Sequence, residues 1–250
     1  MIKTKRHMQN ILKKNAGRGV SGRITVRHQA GRHKRYYREI DFKRDKFGME
    51  GEITAIEYDP NRNASLSLVK YTDGEFRYIL GAKENKVGDK VVSDEKVEVK
   101  AGNAMRLKNI PIGTLVHNVE LKPGLGGQIG RSAGAAIHVA AKEGGFAHLK
   151  MPSGEVRMIP LLAMATIGAL GNEEHKNRVI GKAGRSRWMG IKPTVRGVAQ
   201  DPDSHPHGGG EGRSGIGRKK PMTVYGRPAV GKTRKKKNQS NRYILKRRKS

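Results

Sequence analysis

The chain has 250 residues, with 52 Lys and Arg against 22 Asp and Glu for a net charge of +30, 35% hydrophobic and 5% aromatic residues, and no cysteine. A surplus of that size repels itself until a polyanion neutralises it, and nucleic acid is the commonest such partner. The absence of cysteine excludes a disulfide framework, a thiolate nucleophile and a Cys-based zinc site, and no stretch approaches the roughly 18 consecutive apolar residues of a membrane-spanning helix.

The chain opens on a polycation. Twelve Lys and Arg precede the first acidic residue, Glu39. Gly, Ser and Asn interrupt this end and no long apolar period runs through it, so burial cannot offset the entropy of ordering it; it is expected to fold only on a partner. Residues 39–212 then hold 25 basic and 22 acidic residues, an ordinary globular balance. Their first half reads as short strands: Ile53–Tyr58, a turn at Asp59-Pro60-Asn61-Arg62-Asn63, Leu66–Tyr71, a turn at Asp73-Gly74, Phe76–Leu80, and the alternating Lys96-Val97-Glu98-Val99 after Val87-Gly88-Asp89. Five strands at that spacing predict a small closed or nearly closed barrel, for which the OB type is one solution. A second block from about Asn103 offers Ile110–Val116, Val119–Leu121, Phe146–Met151 and Val156–Ile159, enough for a second small barrel. Ala133–Lys142 is compatible with helix or strand. Beyond Gly171 the regular pattern fades. Residues 175–200 carry seven Lys and Arg and no acid around Trp188, the only tryptophan, which reads either as a stacking surface or as a lid over the second barrel. From Arg213 onward fifteen more Lys and Arg follow without a single acid. Solubility asks for balanced charge, so ends of one sign read as nucleic-acid ligands rather than solvated tails.

Three catalytic signatures fail on context. Gly226-Arg227-Pro228-Ala229-Val230-Gly231-Lys232-Thr233 satisfies the phosphate-loop pattern, but no buried strand precedes it and Arg234-Lys235-Lys236-Lys237 follows where a packed helix is needed. Gly17–Gly22 and Gly210–Gly215 match the dinucleotide glycine fingerprint, as chance allows among 33 glycines, and neither lies between strand and helix. The segment Asp201-Pro202-Asp203-Ser204-His205-Pro206-His207-Gly208-Gly209-Gly210-Glu211-Gly212 offers two imidazoles without a third metal ligand of the same kind. As general acid–base machinery His205 would need an orienting carboxylate such as Asp203. The structural reading is preferred: proline fixes φ, and three glycines let one backbone approach another closely.

This last segment, with Gly181–Trp188 and Lys192–Gly197 before it, resembles the bacterial-type ribosomal protein L2 family of the large subunit. Lys34–Arg38, Ile40–Asp45, Ile56–Arg62, Asp73-Gly74-Glu75, Arg77–Leu80, Gly126-Gly127-Gln128 and Arg131–Gly134 agree, so the resemblance spans nearly the whole chain. It implies a mainly β protein: a basic extension over 1–34, an OB-fold over 35–100, an SH3-like barrel over 101–172, and a basic extension over 173–250. It also implies a structural role, with no catalytic residue and no metal site. The expected partners are large-subunit rRNA, other ribosomal proteins, and the small subunit across the interface, with no membrane and no small-molecule substrate. No cofactor is expected beyond magnesium carried by the rRNA. The expected rRNA contacts are Arg18, Arg23, Arg27, His28, Arg32, Lys34, Arg35, Arg44, Arg62, Arg131, Lys182, Arg185, Arg187, Trp188, Lys192, Arg196, Arg213, Arg218, Lys219, Arg234 and Lys235. A loop close to the peptidyl transferase centre is expected at His205, His207, Gly208, Gly209 and Gly210. Ser204 stands where the family usually has an aspartate. Two other classes remain as alternatives: an acyl-transfer enzyme using His205, and a non-specific nucleic-acid compaction protein.

The expected location is the ribosome. The start close to the RNA-binding segment suggests an organellar version. Gly171-Asn172 with His175-Lys176-Asn177 looks proteobacterial or mitochondrial, and Ile216–Pro221 is similar to plastid forms. A mitochondrion is favoured, with a plastid or the bacterial cytoplasm as alternatives, and at most the first dozen or so residues would be a targeting segment.

Overall fold

Alternating burial along an eight-residue strand organises the first barrel. The computed structural model describes residues 8–231 and 234–248, so much of the candidate targeting stretch lies outside the described residues. Strand β1 (Gln9–Leu12) pairs antiparallel with β2 (Arg35–Arg38), Gln9 opposite Arg38. Strands β3 (Glu50–Glu57), β4 (Leu66–Tyr71), β5 (Phe76–Leu80) and β6 (Lys90–Val92) form an antiparallel sheet in the order β5-β4-β3-β6. In β3, Gly51 and Ile53 face inward between exposed Glu50, Glu52 and Thr54, while β4 buries every residue except Lys70. Thr54 is an extra residue between the pairs Ile53–Val69 and Ala55–Leu68, a bulge of the kind that adds twist. Parallel bridges Ile40–Tyr78 and Phe47–Ser93 run the segment between β2 and β3 along both sheet edges, as closure of an OB-fold requires.

The second barrel uses β7 (Ala104–Arg106), β8 (Leu115–His117), β9 (Val119–Glu120), β10 (Gly127–Ile129), β11 (Ile137–Glu143), β12 (Phe146–Lys150), β13 (Val156–Pro160) and β14 (Met164–Ile167). A last strand, β15 (Ile244–Lys246), joins them. Apart from the separate β9–β10 pair, the order is β15-β13-β12-β11-β8-β14-β7, an SH3-like sheet wrapped on Met105, Leu107, Ile110, Val116, Ile137, Val139, Leu149 and Ile159. Gly144 and Gly145, with φ of 54° and 81°, make the tight β11–β12 turn that two positive φ values demand. The buried carboxylate of Glu120 accepts the amides of Gly124 (3.2 Å), Gly126 (2.8 Å) and Met164 (3.0 Å), tying the β9–β10 loop to β14.

Three sequence expectations change or are resolved. Lys96–Val99 is not a strand: Asn103 accepts the Val92 amide and donates to the Glu98 carbonyl, so the chain turns where alternation suggested extension, and Val99 is exposed. Ile110–Val116 is mostly a turn, with Pro111 and Gly113 (φ 87°) leaving Ile112 exposed, and only Leu115–His117 enters the sheet. Ala133–Lys142 resolves as β11 over its second half, because Ile137 and Val139 alternate into the core. The barrels also share a cluster in which Leu66, Leu68, Tyr78 and Leu80 pack with Ala135 and Leu170.

The chain divides into two compact units. The first contains the described residues up to Lys13, Lys34–Val179, and those from Arg242 onward, and so holds both barrels and β15. The second joins Lys14–His33 to Ile180–Asn241. Its regular structure is the helix α1 (Ala183–Met189) and short 3-10 turns, and none of the described residues in α1 is buried.

Candidate nucleic-acid interface

Among the described residues the second unit contributes none to the buried apolar clusters, and its order comes from backbone hydrogen bonds. In the second unit the Ala30 amide donates to the Gly190 carbonyl (2.8 Å), His33 to Trp188 (3.0 Å) and Lys192 to His28 (3.0 Å), lacing residues 28–33 antiparallel to 188–192. Gly190 ends α1 in the left-handed region (φ 93°), with its amide on Arg187 and Ser186, as a glycine C-cap does. Arg185 and Arg187 of this helix are exposed to solvent, as is Trp188. The indole is 51% exposed; the Lys182 ammonium lies 5.1 Å from its centroid and the His33 ring meets it edge-on at 6.0 Å.

The His-Pro-His segment is a loop closed by amides. Ser204 and His205 both donate to the Asp201 carbonyl (3.0 and 3.1 Å), Gly208 to His205 (2.9 Å) and Gly209 to Gln200 (3.2 Å). A Cβ at Gly208 would collide with the Asp201 and Gln200 carbonyls, and one at Gly197 with the His205 ring. Gly209 and Gly210 sit at φ of 90° and 93°. These are the close approaches and left-handed turns that only glycine makes at little cost. The two imidazoles lie 4.7 Å apart; His205 Nδ1 accepts the His207 amide (3.1 Å) and His207 Nε2 accepts the Met222 amide (2.9 Å). Desolvation, then the adjacent His207 and Arg27, hold the His205 pKa below the ordinary imidazole value. His205 Nδ1 is occupied by backbone and not by a carboxylate such as Asp203, the partner that acid–base chemistry would ask for there. Among the described residues no cluster of three or more His, Asp or Glu could hold a metal ion, and no helix is long and apolar enough to cross a membrane.

Residues 14–33 and 180–241 together carry 20 Lys and Arg against three acidic residues. Arg18, Arg23, Arg27, Lys182, Arg185, Arg187, Lys192, Arg196, Arg213, Arg218, Lys219, Arg234 and Lys235 are exposed there, and Arg32 and His28 are half-buried. Several are pre-set by neutral partners: Arg18 donates to the Gly22 carbonyl (2.8 Å), Arg218 to Pro206 (3.0 Å), and Arg234 to Asn241 and Ser240 (2.6 Å each). Their charge is therefore not neutralised by these bonds, which is the condition for binding phosphate.

Two domain models of a single family match the chain: the RNA binding N-terminal domain of ribosomal proteins L2 over residues 5–93, and the C-terminal domain of ribosomal proteins L2 over residues 100–226. The chain belongs to the ribosomal protein L2 family. It is a structural, non-enzymatic component of the large ribosomal subunit, and the domain matched over residues 5–93 is its RNA binding domain.

Within this L2 chain the site residues expected in the barrels divide. Arg44 is a correction: it is 3% exposed, its guanidinium donates to the Gly102 carbonyl (3.2 Å) and its amide is held by Asp41 (2.7 Å), so it works inside the protein. Arg62 is half-buried and bound at 2.7 Å to the carboxylate of Asp59, which also accepts the Asn61 amide; it staples the β3–β4 turn. Arg131 is exposed, 4.7 Å from the Phe42 centroid, and Lys34 lies 5.5 Å from that of Tyr36, whereas Arg35 is half-buried in β2. The phosphate-loop look-alike is a hairpin. Gly226 (φ 72°) donates to Thr223 and Thr223 to Arg227, while Lys232 and Thr233 lie outside the described residues. For Arg44 a signal was available in the sequence, since Asp41 and Asp45 bracket it.

Proposed function

We propose that residues 14–33 and 180–241 are the main contact of this L2 chain with large-subunit rRNA. The barrels over 35–100 and 101–172 carry that surface, and the His205–Gly210 loop supports the peptidyl transferase region and subunit association. The observation that carries the reading is the charge of the second unit, 20 cations against three acids on a backbone-held frame that, among the described residues, has no buried apolar cluster of its own. Such a surface gains its stability from released counterions, and Trp188 supplies a face on which a base can stack beside Lys182. The three glycines let the loop close tightly on its own backbone, which suits a scaffold for RNA rather than a chemical group.

The test is the salt dependence of binding to large-subunit rRNA. The wild-type log K should fall linearly with log salt, and replacing Lys182, Arg185 and Arg187 by Gln should flatten the line by about 0.9 for each duplex phosphate that the variant no longer neutralises. An unchanged slope would remove α1 from the interface. A mitochondrial ribosome is the setting we propose, on the resemblance of Gly171-Asn172 and His175-Lys176-Asn177. Recovery of the protein in plastid ribosomes or bacterial cytoplasm would overturn the setting and leave the rRNA reading intact.

A further inference from the structure

Tyr225 stands at the tip of a hairpin in the second unit and is 80% exposed. The hairpin is well built for its size. Thr223 donates its amide to the Arg227 carbonyl (2.7 Å), Ala229 to Pro221 (2.9 Å) and Gly226 to Thr223 (3.0 Å), and Thr223 Oγ1 accepts the Arg227 amide (3.2 Å). Val224-Tyr225-Gly226 is thus a three-residue loop closed by a glycine in the left-handed region, a common way to turn a hairpin. Its base is fixed as well, because the Met222 amide donates to His207 Nε2 (2.9 Å). His207 therefore links the glycine-rich loop to the hairpin. Lys219, Lys220 and Arg227, all exposed, flank the ring along the chain.

Folding gains almost nothing from an aromatic ring left this far in water, while several hydrogen bonds go into holding it there. A ring carried on a backbone that is already ordered by the hairpin loses less entropy when a ligand stacks on it than one on an unordered chain. We propose that Tyr225 is a stacking platform for an unpaired RNA base, with Lys219, Lys220 and Arg227 on the flanking phosphates. This rests on the rRNA-binding reading and adds to it a site that takes a single-stranded or bulged nucleotide rather than a duplex backbone. Tyrosine suits the task, since every base has a face to stack on and the contact needs no hydrogen-bond code.

The experiment measures the affinity of the full chain for large-subunit rRNA across a salt series, for wild type, Tyr225→Leu and Tyr225→Phe. Tyr225→Leu should weaken binding roughly 5- to 150-fold, the range for removing one stacked base, without changing the salt slope, because stacking releases no counterions. Tyr225→Phe, which keeps the ring, should match wild type. The platform is overturned if Tyr225→Leu binds as wild type does, if it alters the slope, or if Tyr225→Phe is as weak as Tyr225→Leu, which would make the hydroxyl the active group. A wild-type protein that binds rRNA without salt dependence would instead overturn the rRNA reading itself.

Discussion

His117 couples the second barrel to acid. Its side chain is fully buried at the end of β8, with Nδ1 on the Gly168 carbonyl (2.8 Å), which places the proton on Nδ1 and leaves Nε2 as an acceptor. Burial, with the Arg44 charge adding to it and the Gly168 bond opposing, depresses its pKa from 6.5 to about 4. The unfolded chain therefore takes up the proton first. Stability from the neutral ring is complete above about pH 6.5 and is lost progressively as pH falls towards about 4, by on the order of 3 kcal/mol. Urea denaturation across that window should show wild type losing more stability than His117→Gln, which cannot titrate. Parallel curves for the two proteins would show that the imidazole is not the acid-sensitive group. Arg44 and Arg62 teach a related lesson. Both are basic residues set among acids in the sequence, and both are committed within the fold.

Among the elements, β15 changes the meaning of the C-terminal end. It pairs with β13, Val156 opposite Lys246 and Arg157 opposite Ile244, and Tyr243 packs its ring against Phe146 (6.3 Å). The chain after the basic segment thus ends in the sheet of the first unit. A truncation would remove this edge strand together with its charges, so the clean perturbation is Ile244→Pro, which leaves charge unchanged and cannot donate to a ladder. It should speed amide exchange in β13 and lower the melting temperature; unchanged β13 protection would mean that the strand is dispensable. This element was not legible in the sequence, since three residues inside a polycation have no period to read. Nor was α1, where Gly184 and Ser186 are poor helix formers and no buried stripe imposes a repeat of 3.6. By contrast β3, β4 and β5 were legible because their side chains meet a core, and the turns between them carry Asp59-Pro60 and Asp73-Gly74. The His205–Gly210 loop was legible as a site from its composition. What stayed hidden was Met222 on His207, a hydrogen bond across fifteen positions that no local pattern encodes.

For the whole molecule, the division of charge is the organising fact. Two barrels of nearly balanced composition supply the apolar burial, and most of the net charge of +30 sits in the basic stretches outside them. A polycation of this kind repels itself in isolation and is stabilised by phosphate, so the chain is built to be complete only within its ribonucleoprotein. A compaction protein could work with the tails alone and would have no use for the barrels. The most direct measurement is sedimentation of the native protein from a cell lysate through a sucrose gradient. It should co-migrate with large ribosomal subunits and with full ribosomes, and shift to the top of the gradient when the RNA is digested. A protein that stays at the top in intact lysate, or that travels with small subunits alone, would contradict the account.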